Sequence, residues 1–397
     1  MTEKAIIWDN QNRSVREERK LRVWKKWVQS LMVLGCSFVF LTACSVPQVS
    51  AESRIFVDLS LNFLGKYELS KSLIFNDQPV GNFSSLTYKI PGYGSPTDEG
   101  IRFYGLTDAS AKIQTIKFDL NPSGSMNLQD ISLENSTILK NQQNQPLSDT
   151  NIYPDSIAFS PRNSVFISTK TLEKSELTPS IAEYDLTTGQ LKNTVPLSSF
   201  YLPQFNDSEQ IRGIEPQFGF KGLTISPDGF SPDGRDPFRL FTVTEKPLIQ
   251  DRDPEDETKL RLLHYVIADR ASFLVSETLY LLDKTSQKLV NIVAGQSGIF
   301  LSLEQSGDSG KIYQLFTGDA TDTSRIASLK GDLSKIQPVR KKLLLDLQDI
   351  GITVPNLTGM TLGSRLPDGS QSLVILNHQN DGTEFFLFSL RSDNIRD

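Results

Sequence analysis

A two-strand motif recurs along the chain at nearly regular intervals, and this repeat constrains the fold more than any other feature. Each copy starts with an apolar strand, continues through a turn rich in Pro, Gly or Asn, and ends in a second apolar strand. Copies begin at Asp155, Lys221 and Thr358, and a fainter one begins at Ser84, so the spacings along the chain are 71, 66 and 137 residues. Because the last spacing is close to twice the others, we expect a degenerate copy near residue 290, within residues 292–304.

Five hairpins of similar spacing predict a radial array of small sheets. Short β-branched and aromatic runs also recur after residue 50, with no convincing helical period. We therefore predict an all-β fold, specifically a β-propeller of five to seven blades, in which each unit covers the edge of its neighbour. A β-sandwich or barrel is the alternative, but such folds rarely repeat one motif five times.

The N-terminus has the layout of a secretion signal. The first 26 residues carry eight Lys or Arg and four acids, and no charge follows between Trp27 and Ala51. The apolar stretch of residues 28–40 is short for a helix that must cross ~30 Å of hydrocarbon. It ends in the letters LTAC, the last of which is Cys44. This segment resembles the lipobox of bacterial lipoproteins, in which the chain is cut before an acylated cysteine.

The lipobox resemblance predicts the domain boundaries and the location. We expect a lipoprotein signal peptide over residues 1–43, a lipidated tether over 44–54 and the propeller over 55–397. Acyl chains such as palmitate on Cys44 would hold the protein on a membrane, its partner there being the lipid bilayer. Ser45 stands where an Asp would mark inner-membrane retention, which favours an extracytoplasmic position at the outer membrane or periplasmic face. An uncleaved single-span anchor is the alternative.

Composition excludes one class of partner. The two cysteines are Cys36, inside the signal, and Cys44, so the chain after Cys44 has no thiol for an internal disulfide. Without the first 26 residues, the chain carries 33 basic and 43 acidic residues, a formal net charge of −10. An acidic surface without a basic patch argues against binding to nucleic acid.

Two stretches of the third copy carry a family resemblance. Residues 219–229 read GFKGLTISPDG, and residues 240–251 read LFTVTEKPLIQD. They are similar to the signature of the family called esterase-like activity of phytase, in which G-F-E-G-L-A-x-S-P-D-G precedes a strand ending in T-E-x-x-L-x-x-D. Further matching pieces follow the family order, and the resemblance spans about residues 80–390.

The resemblance implies a ring of carboxylates at a central channel and the hydrolysis of esters or phosphoesters. Such a ring suits calcium, which takes six to eight oxygen ligands and can polarise an attacking water. The family acids that this chain retains are Asp108, Asp155, Glu245, Asp251 and Glu304. The family pattern has Glu at Lys221 and Thr358 and Asp at Asn377, which precedes His378.

These residues form the predicted site. Glu245, Glu304 and Asp155 are the candidate catalytic residues, and with Asn377 they are also the candidate calcium ligands. The candidate binding residues are Lys221, Asp108, Asp251, Asn377 and His378. Because Lys221 replaces a carboxylate with an ammonium, we hypothesise that it takes the electrostatic place of a cation and weakens or removes metal-dependent activity.

Two functions from different classes remain open. One is a lipid-anchored, metal-dependent hydrolase of small esters or phosphoesters with a partly substituted site. The other is a non-catalytic propeller that binds an envelope protein or scaffold partner. Asn377 and Asn356 also keep open a lactonase-like propeller, in which Glu, Asp and Asn hold one calcium ion.

Overall fold

The computed structural model describes residue 24 and residues 55–70, 73–75, 78–89, 101–107, 110–118, 132–149, 152–171, 178–229, 236–254, 256–379 and 382–392. The chain divides into two units, Met1–Arg54 and Ile55–Asp397. The predicted signal peptide, lipidated Cys44 and tether lie outside the described residues, except for Trp24, and stay predictions. The described part contains no helix with the length and hydropathy needed to cross a membrane.

The second unit is built from strands, which we number β1 to β24 in chain order. The first twelve are Leu59–Ser70, Ile74–Phe75, Gln78–Pro79, Phe83–Tyr88, Ile101–Thr107, Lys112–Phe118, Ser132–Ile138, Ile152–Phe159, Ser164–Thr171, Ile181–Asp185, Leu191–Thr194 and Gln204–Asn206. The others are Glu209–Arg212, Phe220–Ile225, Phe238–Thr244, Lys259–Ile267, Ser272–Leu281, Lys288–Ala294, Phe300–Ser306, Ser309–Phe316, Arg340–Asp346, Leu357–Arg365, Gln371–Gln379 and Gly382–Ser392. Short 3₁₀ turns lie at Leu147–Asp149, Ile249–Asp251, Gln296–Gly298 and Leu347–Ile350.

Twenty of these strands form five four-stranded antiparallel sheets, the blades of a propeller. Blade I is β4–β7, blade II β8–β11, blade III β14–β17 and blade IV β18–β21, and blade V contains β22–β24 and β1. The remaining described strands form two small ribbons, β2–β3 and β12–β13. The predicted all-β propeller is confirmed, and the blade number is five. The degenerate copy expected near residue 290 is β18 and β19, the first hairpin of blade IV.

The five innermost strands are β4, β8, β14, β18 and β22, and each contacts the next around a closed ring. They are the first strands of the five sequence repeats. An innermost strand has a neighbouring blade on each side, so its residues are buried almost throughout, as in Phe220–Ile225. The outermost strands are more exposed and carry polar residues, as in Leu191–Thr194, which suits an edge that must not pair with another chain.

The small residue near the start of each repeat lets these strands approach one another. Gly222 in β14 has φ +63°, and a Cβ there would lie 2.4 Å from the backbone nitrogen of Ile292 in blade IV. On the other side of Gly222, its N–H donates to Ser156 Oγ of blade II at 3.1 Å. A small residue is therefore needed at this position, because successive blades pack closely around the axis.

The hydrophobic core consists of five clusters, one between each pair of adjacent blades. Phe220 and Leu263 of blade III pack with Phe166 of blade II, for example, in one such cluster. Blades V and I share another, which contains Phe385 and Phe83. Because the core lies between sheets, no blade buries its faces without its two neighbours.

Strand β1 closes the ring. It pairs with β24 from Leu59 opposite Ser392 to Ser70 opposite Gly382. The N-terminal strand of the propeller thus completes the blade formed by its C-terminal strands. This pairing joins residues more than 300 positions apart, and no local pattern in β1 indicates it.

Candidate functional site

At one end of the axial channel, the innermost strand of every blade contains a β-bulge. The pairing of each innermost strand with its neighbour shifts at Phe83/Ser85, Pro154/Ser156, Lys221/Thr224, Leu289/Asn291 and Leu357/Gly359. Such a bulge bends the strand and re-aims a side chain. Asp155 and Lys221 are the first residues of two repeats and lie at these bulges. Glu245 directly follows β15, the second strand of blade III, at the same end of the channel.

These residues meet in what we call the channel cluster, which consists of Asp155, Lys170, Lys221, Glu245 and Lys288. Lys221 Nζ lies 2.7 Å from Asp155 Oδ1 and 3.8 Å from Glu245 Oε1. Lys170 Nζ lies 3.2 Å from the same oxygen of Asp155. Asp155 is buried, whereas the side chains of Lys170 and Lys221 are 29% and 20% exposed. The cluster is therefore partly open to solvent.

Charge and burial act on the two acids in opposite ways. Burial would raise the pKa of Asp155, but the ammonium groups of Lys221 and Lys170 hold it below its usual value. Burial raises the pKa of Glu245, and the Asp155 charge adds to this, although Lys221 partly opposes it. Asp155 Oδ2 and Glu245 Oε2 are both buried and have no hydrogen-bond partner among the described residues.

Lys288, at the start of β18, belongs to the same electrostatic group. Its pKa is lowered by burial and by the charge of Lys221, while Glu245 opposes the shift. Sequence reasoning missed both Lys170 and Lys288. Lys170 is the second-last residue of β9, the second strand of blade II, at the register that Glu245 takes in blade III, so an alignment of the repeats against one another would have indicated it.

The channel cluster does not fit a calcium ion. Calcium needs six to eight oxygen ligands at about 2.3–2.6 Å, whereas here an ammonium lies between the two carboxylates, where it would repel a metal ion. No three His, Cys, Asp or Glu side chains in the described part of the chain are close enough together to hold a metal. The predicted calcium set of Glu245, Glu304, Asp155 and Asn377 is therefore not assembled around one point.

Glu304 has partners of its own between blades III and IV. Its Oε1 accepts hydrogen bonds from Tyr280 Oη at 2.5 Å and from Lys341 Nζ at 2.6 Å. Lys341 also lies 2.8 Å from Asp283 and over the rings of Tyr280 and Tyr313. Burial raises the pKa of Glu304, and Lys341 opposes this shift. Oε1 of Glu304 is thus paired with Tyr280 and Lys341.

Asn377 and His378 lie at the end of β23, on blade V. Asn377 Oδ1 accepts the backbone N–H of Asn356 at 2.9 Å, and its Nδ2 donates to Glu384 Oε2 at 2.8 Å. The side-chain amide of Asn377 thus links Asn356, the residue before β22, to Glu384 in β24. The backbone N–H of His378 donates to the carbonyl of Asn356. Asp108 lies outside the described residues, directly after Thr107, the last residue of β5.

Asp251 belongs to a second buried charged group, which we call the Arg261 network. Its members are Arg261, Asp251, Glu277, Tyr201 and Thr323. Arg261 donates to both oxygens of Asp251, at 2.6 and 2.8 Å, and to Glu277 at 2.5 Å. Tyr201 and Thr323 also donate to Glu277. Both carboxylates are fully paired here, which makes Asp251 a structural residue of blade III and not a part of the channel cluster.

The opposite end of the channel holds a cavity of about 940 Å³. The last residues of all five innermost strands line it, among them Leu86, Ile157, Leu223, Val293 and Met360. No sequence signal for this cavity was recognised, because its wall residues look like ordinary strand interior. Its volume lies within the range of small-molecule sites.

Comparison with known proteins identifies a matching family. A family model described as Phytase-like, esterase-like activity of phytase, matches residues 78–381. No curated protein matches the sequence.

Among solved structures, the Dos1 propeller is 11% identical over 79% of this chain and 69% of that chain, with a TM-score of 0.35. The hydrazine synthase of Kuenenia stuttgartiensis is 11% identical over 74% and 69%, also at 0.35. The calcium-binding protein regucalcin of Agrobacterium tumefaciens strain C58 is 10% identical over 79% and 95%, at 0.36. Similarities this low carry no argument about function.

Proposed function

The chain belongs to the family described as esterase-like activity of phytase, and from this premise we propose that it is a lipid-anchored, extracytoplasmic propeller that binds an anionic ester or phosphoester without metal-dependent hydrolysis. The observation that carries the proposal is the position of Lys221 Nζ, 2.7 Å from Asp155. An ammonium there supplies positive charge without the open coordination positions with which a metal ion activates water.

The charge of the channel cluster supports an anionic ligand. Three lysines, Lys170, Lys221 and Lys288, stand against two acids, Asp155 and Glu245. An incoming phosphate or carboxylate would meet an excess of positive charge and would stabilise the charged form of Lys288, whose pKa is lowered in the free protein. Lysine is a common point-charge ligand for phosphate.

The experiment is a charge reversal at Lys221 in the full chain, purified in detergent. Calorimetric titration should show wild-type protein binding p-nitrophenyl phosphate in the presence of a chelator, with no turnover of the phosphate or the acetate ester. Lys221→Glu restores the family residue, so it should lose at least about tenfold in affinity for the phosphate ester and gain a rise in Tm with added calcium.

The matched control is Lys342→Glu, the same charge change at an exposed position of β21, which should alter neither property. Calcium-dependent turnover by wild-type protein that Glu245→Gln abolishes would contradict the proposal.

The state of Glu245 favours a second candidate, metal-independent ester hydrolysis. A partly buried carboxyl with a raised pKa and an unpartnered oxygen can donate a proton to a leaving group. Slow hydrolysis of p-nitrophenyl acetate in chelator, lost in Glu245→Gln and kept in Lys342→Glu, would support it. Binding of an envelope protein stays a prediction.

The lipid anchor has a separate test. Cells grown with labelled palmitate should label the wild-type chain and fail to label Cys44→Ser. Cys36→Ser is the matched control and should be labelled as strongly as wild type. Equal labelling of Cys44→Ser would contradict the lipoprotein part of the proposal and leave the channel cluster unaffected.

A further inference from the structure

In blades II to V, the strand pairing places one cross-strand residue pair just outside the bulge, at the mouth of the channel. These pairs are Tyr153 with Lys170, Gly219 with Glu245, Lys288 with Gln305 and Asn356 with His378. Cross-strand partners of an antiparallel pair project from the same face of the sheet. The two members of each pair therefore lie on the same side of their blade.

Tyr153 of β8 is a half-buried tyrosine beside the channel cluster. It is opposite Lys170, and Lys170 Nζ reaches Asp155 Oδ1 at 3.2 Å, so the Tyr153 ring projects from the same face of blade II. Within the described residues, the hydroxyl of Tyr153 has no hydrogen-bond partner, and its ring has no aromatic neighbour. One aromatic side chain at the mouth is thus available to a ligand.

Lys288 differs from the other two lysines of the cluster in its partners. Lys170 and Lys221 both pair with Asp155. Lys288 reaches solvent and has no carboxylate within ion-pair distance in the described part of the chain. Burial and the Lys221 charge lower the pKa of Lys288, as expected for a cation that lacks a close counter-ion. An anionic ligand can therefore bind Lys288 without competing with a protein carboxylate.

Tyr153 and Lys288 flank the same residue pair of blade III. Gly219 lets blades II and III approach closely at this level, because a Cβ there would lie 2.7 Å from a backbone oxygen of β9. Burial raises the pKa of Glu245, and the charge of Lys170 is among those that oppose the shift. On the other side, Lys288 also interacts electrostatically with Glu245. Tyr153 and Lys288 thus lie at the two ends of the cluster, with the Glu245 carboxyl between them.

We propose that the ligand is an anionic aryl ester, such as an aryl phosphate, held at the mouth by these two residues. This inference rests on the proposed function and names its ligand class. The anionic group binds Lys288, and the aromatic ring packs against Tyr153. Lys170 and Lys221 keep their ion pairs with Asp155. Aromatic rings attract one another beyond the effect of buried area, so the ring distinguishes this ligand from an alkyl ester of equal charge.

The first test compares phenyl phosphate with methyl phosphate, which carry the same head group and differ in the ring. Calorimetric titration of the full chain in detergent and chelator should show phenyl phosphate binding about fivefold more tightly. Tyr153→Leu should remove this preference and leave the affinity for methyl phosphate unchanged, whereas Tyr153→Phe should keep it. Tyr67→Leu changes a half-buried tyrosine of β1 and is the matched control, which should behave as wild type.

The second test removes the proposed contact of the head group. Lys288→Gln should weaken the binding of both phosphates about tenfold, because a charge-assisted hydrogen bond is lost, and Lys288→Arg should restore most of the affinity. Lys342→Gln, at an exposed position of β21, is the matched control and should leave both affinities unchanged. Because the preference for the ring belongs to Tyr153, Lys288→Gln should retain the ratio of the two affinities.

Equal affinities of wild type for the two phosphates, or an unchanged ratio in Tyr153→Leu, would overturn the assignment of an aryl ligand. Unchanged affinities in Lys288→Gln would overturn the position of the head group. In either case, binding by wild type still supports the proposed function, whereas no binding of either phosphate would contradict both proposals. If Tyr153→Leu fails to fold, the comparison on wild type and Lys288→Gln still decide the question.

Discussion

Two charged groups of this propeller use similar residues in different ways. In the Arg261 network, Arg261 and Asp251 are 0% exposed, and both carboxylates are paired. In the channel cluster, all three lysines reach solvent, and each acid keeps one buried oxygen without a partner within the described structure. The difference separates a closed, fully paired group that holds blade III together from a partly solvated group, the one in which we propose that a ligand binds.

The largest expected effect comes from breaking the Arg261 network. Arg261→Met leaves Asp251 and Glu277 as uncompensated buried charges and should lower the free energy of unfolding by about 3–5 kcal/mol, measured by urea denaturation. The control is Arg252→Met, which removes a half-exposed pair with Glu215 and should cost less than about 1 kcal/mol. Similar losses of unfolding free energy in both variants would show that the Arg261 network contributes no more to stability than a half-exposed ion pair.

A smaller effect is expected at the phenol that completes the same network. Tyr201→Phe removes the hydrogen bond to Glu277 and should cost about 1.5–3 kcal/mol, because the acceptor is buried and charged. Tyr265→Phe is the control, since the Tyr265 hydroxyl is buried and has no partner in the described part of the chain. Its removal should leave the Tm unchanged or raise it, and a loss equal to that of Tyr201→Phe would contradict the prediction.

The channel cluster should tolerate the loss of its central cation better. Lys221→Met leaves Asp155 paired with Lys170 at 3.2 Å, and the side chain is partly solvated, so we expect a loss of about 1 kcal/mol. Thermal unfolding beside the control Lys342→Met measures it. A loss as large as that of Arg261→Met would mean that the cluster is structural.

The smallest effect is a pH dependence with opposite signs for the two acids of the channel cluster. The pKa of Asp155 is lowered, so its contribution to stability is present above about pH 4 and is lost as the pH falls further. The pKa of Glu245 is raised, so its contribution is present below about pH 4.5 and is lost as the pH rises.

Denaturation at pH 3 to 7 should therefore show Asp155→Asn approaching wild type in stability as the pH falls. Over the same range Glu245→Gln should gain on wild type as the pH rises. Parallel curves for the two variants would mean that the opposite shifts do not exist.

The sequence predicted the fold more completely than it predicted the site. All five innermost strands begin at or within a few residues of the expected repeat starts, because alternation, turns and small residues are local properties of a hairpin. Of the predicted site, Asp155, Lys221 and Glu245 meet: Asp155 and Lys221 occupy equivalent places at the start of their repeats, and Glu245 follows the second strand of blade III at the same end of the channel. Glu304 and Asp251 also match the family pattern, but Glu304 is paired with Lys341 and Asp251 with Arg261.

The sequence by itself determined an all-β propeller and the family to which it belongs, because repeated hairpins and motif order can be seen one segment at a time. Only the tertiary structure decided the blade number, the closure of blade V by β1 and the pairing of each acid. Lys221 and Asp155 are 66 residues apart, and Leu59 meets Ser392 at the opposite end of the chain. Such contacts depend on how the ring closes, and no local pattern encodes which side chains then face each other.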